Sequence, residues 1–352
     1  MDGLTHRDGC NVAPLVHALR FPLRLRGTLP ADIGKGRREA EALAVGDRIV
    51  ISRSGAVSGY SLDLADEVWR LGLDAGASLI SVGDRVFVGI GTGKVIEMDA
   101  ASGAEVFTTT SGVVGSLGAV GSEIFIIRTP PGLTAIGRDG IVRWRRQESS
   151  DVAGVSAGGK VLLFGLGREH IEVVGELSGE KLWQFKPPSN QLALLHDCAI
   201  VGDEVIAVFG NRAVYRLRLD DGSVVKHGQA PCLGPSLIME HAVVFAQPDK
   251  LVEFDFVGMR ELLTVTYHSQ VPTRPPAGLC VARNATVWTS DVGYVTGVTR
   301  TPGMTEKRFW EVATHDWGFM QAGVNPFVAG SYLYVQPLGH VALACFEISP
   351  AP

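Results

Sequence analysis

A short apolar segment recurs eight times along the chain, and this repeat constrains the fold more than any other feature of the sequence. The first copy reads VGDRIVIS, in which a Gly-Asp turn leads into a run of apolar residues. The copies begin at Val45, Val82, Val120, Ala157, Val201, Met239, Ala282 and Ala329, the last two being the weakest. They start 37 to 47 residues apart, which is the period of a four-stranded blade rather than of a helical repeat.

Each copy continues in the same manner. A glycine-centred turn is followed by a strand in which apolar and polar residues alternate, as in GKVIEMDAAS, and then by a Ser-Gly or Asp-Gly turn. Alternation predicts a strand with one buried face, and glycine supplies the positive φ of a tight hairpin. The next strand often carries an aromatic residue, as at Trp69, Phe107, Trp144, Trp183 and Trp310. We interpret the four tryptophans among them as plugs near the periphery of the blades.

A fourth strand fits the short segments before the copies, such as GASLIS and GPSLI, which are rich in small residues. Small residues suit inner strands, because all the blades converge on a central channel. The sequence therefore predicts an all-β fold, an eight-bladed β-propeller of four-stranded antiparallel blades. Because the last two copies are degenerate, seven blades with an irregular cap are the alternative.

The ends of the repeat region predict how the ring closes. The last copy ends after its third strand, in GHVALACFEISPAP, and lacks an outer strand. Residues 19–27, LRFPLRLRG, alternate well and have no partner of their own. We expect this N-terminal strand to complete the last blade. The predicted organisation is a tail over residues 1–18, a single β-propeller domain over 19–349 and a tail over 350–352.

The segment DRVFVGIGTGKVIEMDAASGAEVF (residues 84–107) resembles the PQQ-like β-propeller repeat, in which a strand, a glycine turn and a second strand precede an aromatic position. The resemblance extends over nearly the whole chain, from about residue 19 to about residue 348. Quinoprotein alcohol dehydrogenases share this repeat with non-enzymatic relatives, including the lipoprotein of the outer-membrane barrel-assembly machinery. The resemblance implies the fold but does not select an activity, since one fold hosts many functions.

The sequence GIGTGK within this segment is not a phosphate-binding loop. Such a loop has Gly five residues before the Gly-Lys pair and Ser or Thr after it, whereas this chain has Val88 and Val95 at those positions. A dinucleotide-binding loop would need a helix after the glycines, and KVIEMDA alternates as a strand. We interpret GIGTG as a hairpin turn.

Composition excludes several classes of partner. The formal net charge is −5 and both signs are spread along the chain, so we expect no nucleic-acid partner. We find no export signal and no run approaching the roughly 18 apolar residues of a membrane span. The cysteines are odd in number and far apart, at Cys10, Cys198, Cys232, Cys280 and Cys345. We expect a cytoplasmic protein with reduced thiols, with a monomer favoured.

The resemblance to quinoprotein dehydrogenases would imply a Ca²⁺-assisted cofactor site in the channel, with a catalytic Asp and a stacking Trp. No cluster of Asp, Glu and Asn can be placed from the sequence as ligands of a hard cation. We therefore predict no catalytic residue, no cofactor-binding residue, no cofactor and no metal ligand. A non-enzymatic protein is favoured over an enzyme.

The longest insertions in the repeat predict a partner-binding face. They span residues 264–279 and 311–327, in neighbouring blades, and both lie on the face that carries the blade-to-blade connections. Aromatic, Met and Arg residues are enriched in the cores of protein interfaces. The predicted contacts are Trp317, Phe319, Met320, His315, Asp316, Tyr267, His268 and Arg274, with Lys186 and Arg145 on the rim. In the alternative interpretation Trp317 and Phe319 plug the gap between two blades, and the rim residues are ordinary solvated loops.

The favoured function is a rigid, non-enzymatic propeller that presents one loop-rich face to a protein partner. Bacterial roles that fit are a scaffold, the assembly of a complex, or an immunity protein that neutralises a toxin. The alternative is an enzyme or small-ligand binder that uses the central channel, for example a quinone-dependent dehydrogenase or a lyase. Inner strands dominated by small and apolar residues argue against this alternative.

Overall fold

The computed structural model describes residues 23–30, 41–53, 55–73, 77–147, 150–152, 157–165, 168–188, 194–231, 236–247, 250–266, 276–282, 285–290, 294–299, 309–313, 326–336 and 341–348. These residues form eight four-stranded antiparallel sheets, and none of them is helical. The first strands of neighbouring blades contact one another, so the sheets form a ring around a central channel. Within each blade we number the strands first to fourth from the channel outward.

The chain begins with a strand that belongs to the last blade, β1 (Leu23–Pro30). Blade 1 comprises β2 (Glu41–Val45), β3 (Arg48–Arg53), β4 (Ala56–Ser61) and β5 (Glu67–Gly72). Blade 2 comprises β6 (Ala77–Val82), β7 (Arg85–Ile90), β8 (Lys94–Asp99) and β9 (Glu105–Thr110). Blade 3 comprises β10 (Ser116–Val120), β11 (Ile124–Thr129), β12 (Gly132–Gly137) and β13 (Val142–Arg146). Blade 4 comprises β14 (Ser150–Val152), β15 (Lys160–Gly165), β16 (Ile171–Gly175) and β17 (Lys181–Phe185).

The second half of the ring repeats this plan. Blade 5 comprises β18 (Leu195–Val201), β19 (Glu204–Phe209), β20 (Ala213–Arg218) and β21 (Val224–Gln229). Blade 6 comprises β22 (Ser236–Ile238), β23 (Ala242–Ala246), β24 (Lys250–Asp255) and β25 (Arg260–Thr266). Blade 7 comprises β26 (Pro276–Ala282), β27 (Ala285–Ser290), β28 (Tyr294–Thr299) and β29 (Phe309–Ala313). Blade 8 comprises β30 (Phe327–Ala329), β31 (Tyr332–Val335) and β32 (Val341–Ile348), completed by β1.

The predicted eight-bladed propeller is confirmed, and the seven-bladed alternative is wrong. The two degenerate copies of the repeat form β27 and β31, each the second strand of a regular four-stranded sheet. Their weak sequence signal therefore reflects substitution within a blade and not the loss of one.

The GIGTG segment is a hairpin turn, as predicted. Ile90 pairs with Lys94 across the end of the β7–β8 hairpin, and the N–H of Gly93 donates a 2.9 Å hydrogen bond to the carbonyl of Ile90. Gly93 has φ +90°, and a Cβ atom there would lie 2.6 Å from the backbone N and O of Val113. Only glycine fits that position.

The ring closes through the N-terminal strand. β1 pairs with β32 in antiparallel register, from Leu23 opposite Ile348 to Pro30 opposite Val341. The Arg26 side chain also forms an ion pair with Glu347 across this seam. The prediction of closure is confirmed, but the predicted bounds of 19–27 are wrong at one end because the strand continues to Pro30. Residues 19–22 lie outside the described residues.

Tryptophans in fourth strands join neighbouring blades. Trp69, Trp144 and Trp183 lie in β5, β13 and β17, and the indole Nε1 of each donates a 2.8 Å hydrogen bond to a carbonyl of the next blade. The acceptors are the carbonyl oxygens of Ala100, Glu176 and Leu219. A buried indole N–H needs such a partner. The interpretation of these three residues as peripheral plugs is confirmed, whereas the side chain of Trp310 lies outside the described residues.

Other blades make the same junction with different chemistry. In blade 5, Lys226 stands where blade 4 has Trp183, one step before the bulge between the third and fourth strands. Its Nζ donates 3.1 Å hydrogen bonds to the carbonyls of Val257 and Gly258 in the next blade. At the closing seam, the hydroxyl of Tyr334 donates to the carbonyl of Leu62. A donor aimed at the next blade's turn is therefore more general than the tryptophan itself.

Removal of residues 1–30 is expected to destabilise the whole ring, because it leaves the fourth position of blade 8 empty and exposes the edge of β32. The loss should appear as a large fall in melting temperature or as failure to unfold cooperatively. Removal of residues 1–18 is the control, because it leaves β1 intact. Equal melting temperatures for the two truncated proteins would contradict the closure by β1.

Glycine at the tryptophan junctions offers a second test. Gly179 has φ +67°, and a Cβ atom there would lie 2.5 Å from Cγ of Trp144, whereas Gly202 has φ +61° and open space around it. Gly202→Ala should cost about 1 kcal/mol for the left-handed backbone alone. Gly179→Ala should cost about 1–3 kcal/mol more, because the methyl group overpacks the indole. Urea unfolding of both variants measures the difference, and equal losses would show that the indole does not pack tightly on this turn.

Candidate functional site

The propeller has two faces with different kinds of loop. Because strands alternate in direction, the turns between second and third strands lie on the same face as the blade-to-blade connections. We call this face the connection face. The opposite face carries the turns between first and second strands and between third and fourth strands.

Backbone hydrogen bonds hold the loops of the connection face in place. The N–H of Leu73 donates to the carbonyl of Gly55 at 2.9 Å, and the N–H of Ser111 donates to the carbonyl of Gly93 at 3.0 Å. In blade 5 the equivalent donor is the N–H of Ala230, which donates to the carbonyl of Arg212 at 2.8 Å. In blade 4 the carbonyl of Arg168 instead accepts a 2.5 Å hydrogen bond from the N–H of Leu195, the first residue of the next blade's first strand. In blades 1, 2 and 5 the second–third turn is thus tied to the connection that leaves its own blade, and in blade 4 it is tied to the start of the next blade. A surface fixed in this way loses little conformational entropy when it binds a partner.

Arg168 and Arg212 occupy positions where glycine is the easiest residue. Arg212 follows Gly210 and Asn211 in a three-residue turn, and its N–H donates a 2.9 Å hydrogen bond to the carbonyl of Phe209. Blade 2 builds the same turn with Gly93 at that place. The φ angles of Arg168 and Arg212 are +53° and +69°; Arg212 is the last residue of its turn, where the left-handed region is usual, whereas Arg168 lies within the longer connection between β15 and β16. Both arginine side chains are exposed.

The surroundings of Arg168 include an aromatic ring, a backbone carbonyl and side chains of both charges. The guanidinium of Arg168 lies 5.6 Å from the ring centroid of Phe164, and its Nη1 donates a 3.5 Å hydrogen bond to the carbonyl of His196. Beside it, Nζ of Lys186 forms an ion pair with Glu169 at 3.1 Å. Among the described residues, no carboxylate lies within ion-pair distance of either arginine. Their positive charges are therefore available to a ligand.

The opposite face is rich in carboxylates, some of which pair with Arg48, Arg85, Arg143, Lys160 and Arg260. Carboxylates occupy its turns in most of the described blades, at Asp47, Asp63, Asp66, Asp84, Asp99, Glu123, Asp139, Glu180, Asp203, Asp220, Asp221, Glu240 and Asp255. Hydrogen bonds within the turns lower the pKa of several of them. The Ser102 side chain lowers the pKa of Asp99, and the Ile141 N–H lowers the pKa of Asp139. The carboxylates of this face outnumber these basic partners, a feature that the overall composition conceals.

Polar side chains also lie at the start of the first strands, where the sequence predicts mainly small and apolar residues. Oε2 of Glu41 in blade 1 accepts a 2.8 Å hydrogen bond from the N–H of Leu79 in blade 2. Oδ2 of Asp197 in blade 5 accepts a 3.0 Å hydrogen bond from the hydroxyl of Ser236 in blade 6. These carboxylates link successive blades. The description of the inner strands as mainly small and apolar is correct in composition but misses this role.

The described first strands do not fit a Ca²⁺-assisted quinone site. Such a site needs several oxygen ligands at one point, but Glu41 and Asp197 lie in blades 1 and 5, on opposite sides of the ring, and each already accepts a hydrogen bond from the next blade. Over the ranges that the structure describes, no group of three His, Cys, Asp or Glu residues could hold a metal ion. We assign no reaction step to a quinone.

The described cysteines are not candidate nucleophiles. Cys198, Cys280 and Cys345 are buried thiols outside any disulfide. Burial raises the pKa of the Cys345 thiol to about 12 and also raises that of Cys280. A reactive cysteine needs a lowered pKa and access to solvent. Within the same described residues, no helix is long and apolar enough to cross a membrane.

Two of the ten predicted contact residues fall within the described part of the chain. Lys186 lies in the connection from blade 4 to blade 5 and pairs with Glu169. Arg145 is an exposed residue of β13 in blade 3, opposite Thr134. The structure thus places them on different blades. The other eight lie outside the described residues: Trp317, Phe319, Met320, His315, Asp316, Tyr267, His268 and Arg274.

Sequence reasoning missed Arg168 and Arg212. A signal for Arg212 was present, because aligned turns give GTGK in the second copy and GNRA in the fifth, with arginine in place of glycine. The signal for Arg168 is weaker, since the surrounding LGREH has no clear counterpart in the other copies.

A sequence model for the family of the outer membrane protein assembly factor BamB matches residues 53–163 and 110–232. The two overlapping matches together span slightly more than half of the chain. No curated protein sequence matches the chain significantly.

Several solved structures share the architecture. BamB from Moraxella catarrhalis has a TM-score of 0.63 and 15% identity, with 93% of this chain and 98% of that chain covered. A europium-containing methanol dehydrogenase has a TM-score of 0.59 and 10% identity, with 95% and 89% covered. The quinohemoprotein alcohol dehydrogenase from Comamonas testosteroni has a TM-score of 0.55 and 12% identity, with 99% and 79% covered. At these identities the likeness shows the fold alone.

The backbone of Arg212 allows a prediction about stability. Arg212→Gly should change the free energy of unfolding by no more than about 0.5 kcal/mol, because relief of the left-handed strain offsets the greater freedom of glycine in the unfolded chain. Arg218→Gly is the control, since it makes the same replacement at an exposed position of β20, where glycine should cost about 0.5–1 kcal/mol. Urea unfolding measures both, and a larger loss for Arg212→Gly would show that the arginine side chain is structural.

Proposed function

The chain belongs to the PQQ-like β-propeller family of the outer membrane protein assembly factor BamB, and from that premise we propose that it is a non-enzymatic scaffold that binds a protein partner through its connection face. The observation that carries the proposal is the backbone bonding of this face. The turns at Gly55, Gly93 and Arg212 are tied to the connections that leave their blades, and the turn at Arg168 is tied to the first strand of the next blade. Exposed side chains on a fixed backbone form a ready-made binding surface.

Among the roles that the sequence suggests, assembly of a protein complex is best supported by the family, whose name describes an assembly factor. Scaffolding of another kind and toxin neutralisation use the same face and the same physical principle. The cytoplasmic location stays a prediction. So does the contact role of Trp317 and Tyr267, the central aromatic residues of the two longest insertions.

Site-specific photo-crosslinking tests the proposal. A benzophenone amino acid is placed at Lys186 or at Arg145 on the connection-face side, and at Asp84 on the opposite face as the control. The side chains of Lys186 and Asp84 are 61% and 81% exposed, so access to solvent does not favour the test position. In the cells that naturally express the protein, we expect one defined protein to crosslink from the connection face and not from Asp84.

Two further measurements sharpen this test. Trp317→Ala combined with Tyr267→Ala should reduce crosslinking from Lys186 without lowering the melting temperature. A lower melting temperature would instead identify these aromatic residues as plugs between blades. Crosslinking from Asp84 alone would contradict binding through the connection face. If no protein crosslinks and native mass spectrometry shows that the protein retains a small molecule, the scaffold is wrong and a ligand of the central channel is favoured.

A further inference from the structure

We propose that the partner presents an acidic segment to the connection face, and that Arg168 and Arg212 bind its carboxylates. This inference rests on the proposed function and specifies the chemistry of the partner. Both arginines have a left-handed backbone, and neither is paired with a carboxylate among the described residues.

The first observation concerns residues other than glycine with positive φ. The described chain has four of them, at Leu64, Arg168, Arg212 and Met259. Leu64 is 6% exposed, and Met259 packs against a hydrophobic cluster and over Gly228. Burial of their side chains explains why these two positions are not glycine. It does not explain the two arginines, whose side chains are exposed.

Left-handed backbone costs a residue other than glycine about 1 kcal/mol or more. Blade 2 shows that glycine builds the turn of Arg212 without this cost, since Gly93 has the same place and the same hydrogen bond. An exposed side chain that is kept at a strained position points to a use outside the fold. Two such arginines in adjacent blades, both on the connection face, point to a shared ligand.

The second observation is electrostatic. Lys186 is already paired with Glu169 at 3.1 Å, whereas neither arginine is paired with a carboxylate among the described residues. Guanidinium groups bind carboxylates through two parallel hydrogen bonds, a geometry that lysine cannot match. The carbonyl of His196 and the ring of Phe164 orient Arg168. The guanidinium is therefore partly preorganised for a carboxylate ligand.

A protein segment fits this site better than a polyanion does. Duplex DNA carries one negative charge per about 1.7 Å and binds to a continuous positive field. Here Glu169 lies beside Lys186, and the net charge of the chain is −5. Two arginines among mixed charges can bind the few carboxylates of a protein segment. The carboxylates of the opposite face repel such a segment much less than they repel a long polyanion.

The test measures binding of a fluorescein-labelled peptide of about twelve residues with Glu at every second position, by fluorescence anisotropy with the full chain. We expect binding at about 0.05 M salt that weakens at about 0.5 M salt, because screening shortens the range of the charges. The double variant Arg168→Gly with Arg212→Gly should weaken binding at least about tenfold, while keeping the native melting temperature. A peptide with Gln in place of Glu should bind neither the native chain nor the double variant.

Two controls define the outcomes. Arg70→Gln with Arg260→Gln removes the same charge from side chains that are 60% and 75% exposed and lie away from the connection-face turns, and it should leave peptide binding unchanged. Equal weakening by both double variants would show a general charge effect and overturn the proposal. The proposal would also be overturned if a single-stranded DNA of equal charge bound more tightly than the acidic peptide and if the Arg168→Gly, Arg212→Gly variant lost this DNA binding.

The same double variant separates this inference from the proposed function. If a protein still crosslinks at full yield from Lys186 in the variant and the acidic peptide does not bind the native chain, the scaffold stands and the acidic partner is wrong. If no protein crosslinks but the peptide binds and the variant loses it, the scaffold is wrong and the arginines remain a site for an acidic ligand.

Discussion

The hydrogen bond from an outer-strand side chain to the next blade's turn fixes the outer ends of neighbouring sheets, whose inner strands are joined by side-chain packing and by carboxylates such as Glu41 and Asp197. Trp69, Trp144 and Trp183 make it with an indole, and Lys226 makes it with an ammonium group. The indole also fills the space above a turn glycine, as Trp144 does at Gly179. Each blade thus sets the angle of the following one. The positions of all the loops on both faces depend on that angle.

The loop geometry of the connection face follows from this constraint. Once the blades are fixed, the distance between a second–third turn and the connection that leaves the blade is also fixed, and in blades 1, 2 and 5 backbone hydrogen bonds join them. Side chains on these turns then project from a rigid frame. A family that keeps the frame and changes the turn residues acquires new partners without a new fold. The likeness to both BamB and methanol dehydrogenase is consistent with this separation of frame and function.

The fold was predictable because its determinants are local and repeated. The copy at Val45 and the copy at Val82 share their turn and their alternation, and the tryptophans mark the same place in several blades. The end of β1 at Pro30 was not predictable, since proline disfavours a strand but is tolerated at an edge. Arg212 was missed because a single copy, the second, aligns glycine with it, and the first copy has a shorter turn that gives no such match. The two long insertions follow no repeat, so the sequence predicts their composition but not their contacts.

The pairing of β1 with β32 also sets the order in which the molecule is completed during synthesis. Arg26 and Glu347, which meet across this seam, are 321 positions apart in sequence. Blades 1 to 7 consist of consecutive strands and can form as they leave the ribosome. The earliest strand must wait for the last one, and closing so long a loop is a slow, non-local step. Until then the nascent ring has two open edges, and a chaperone that covers β1 would protect it during this interval.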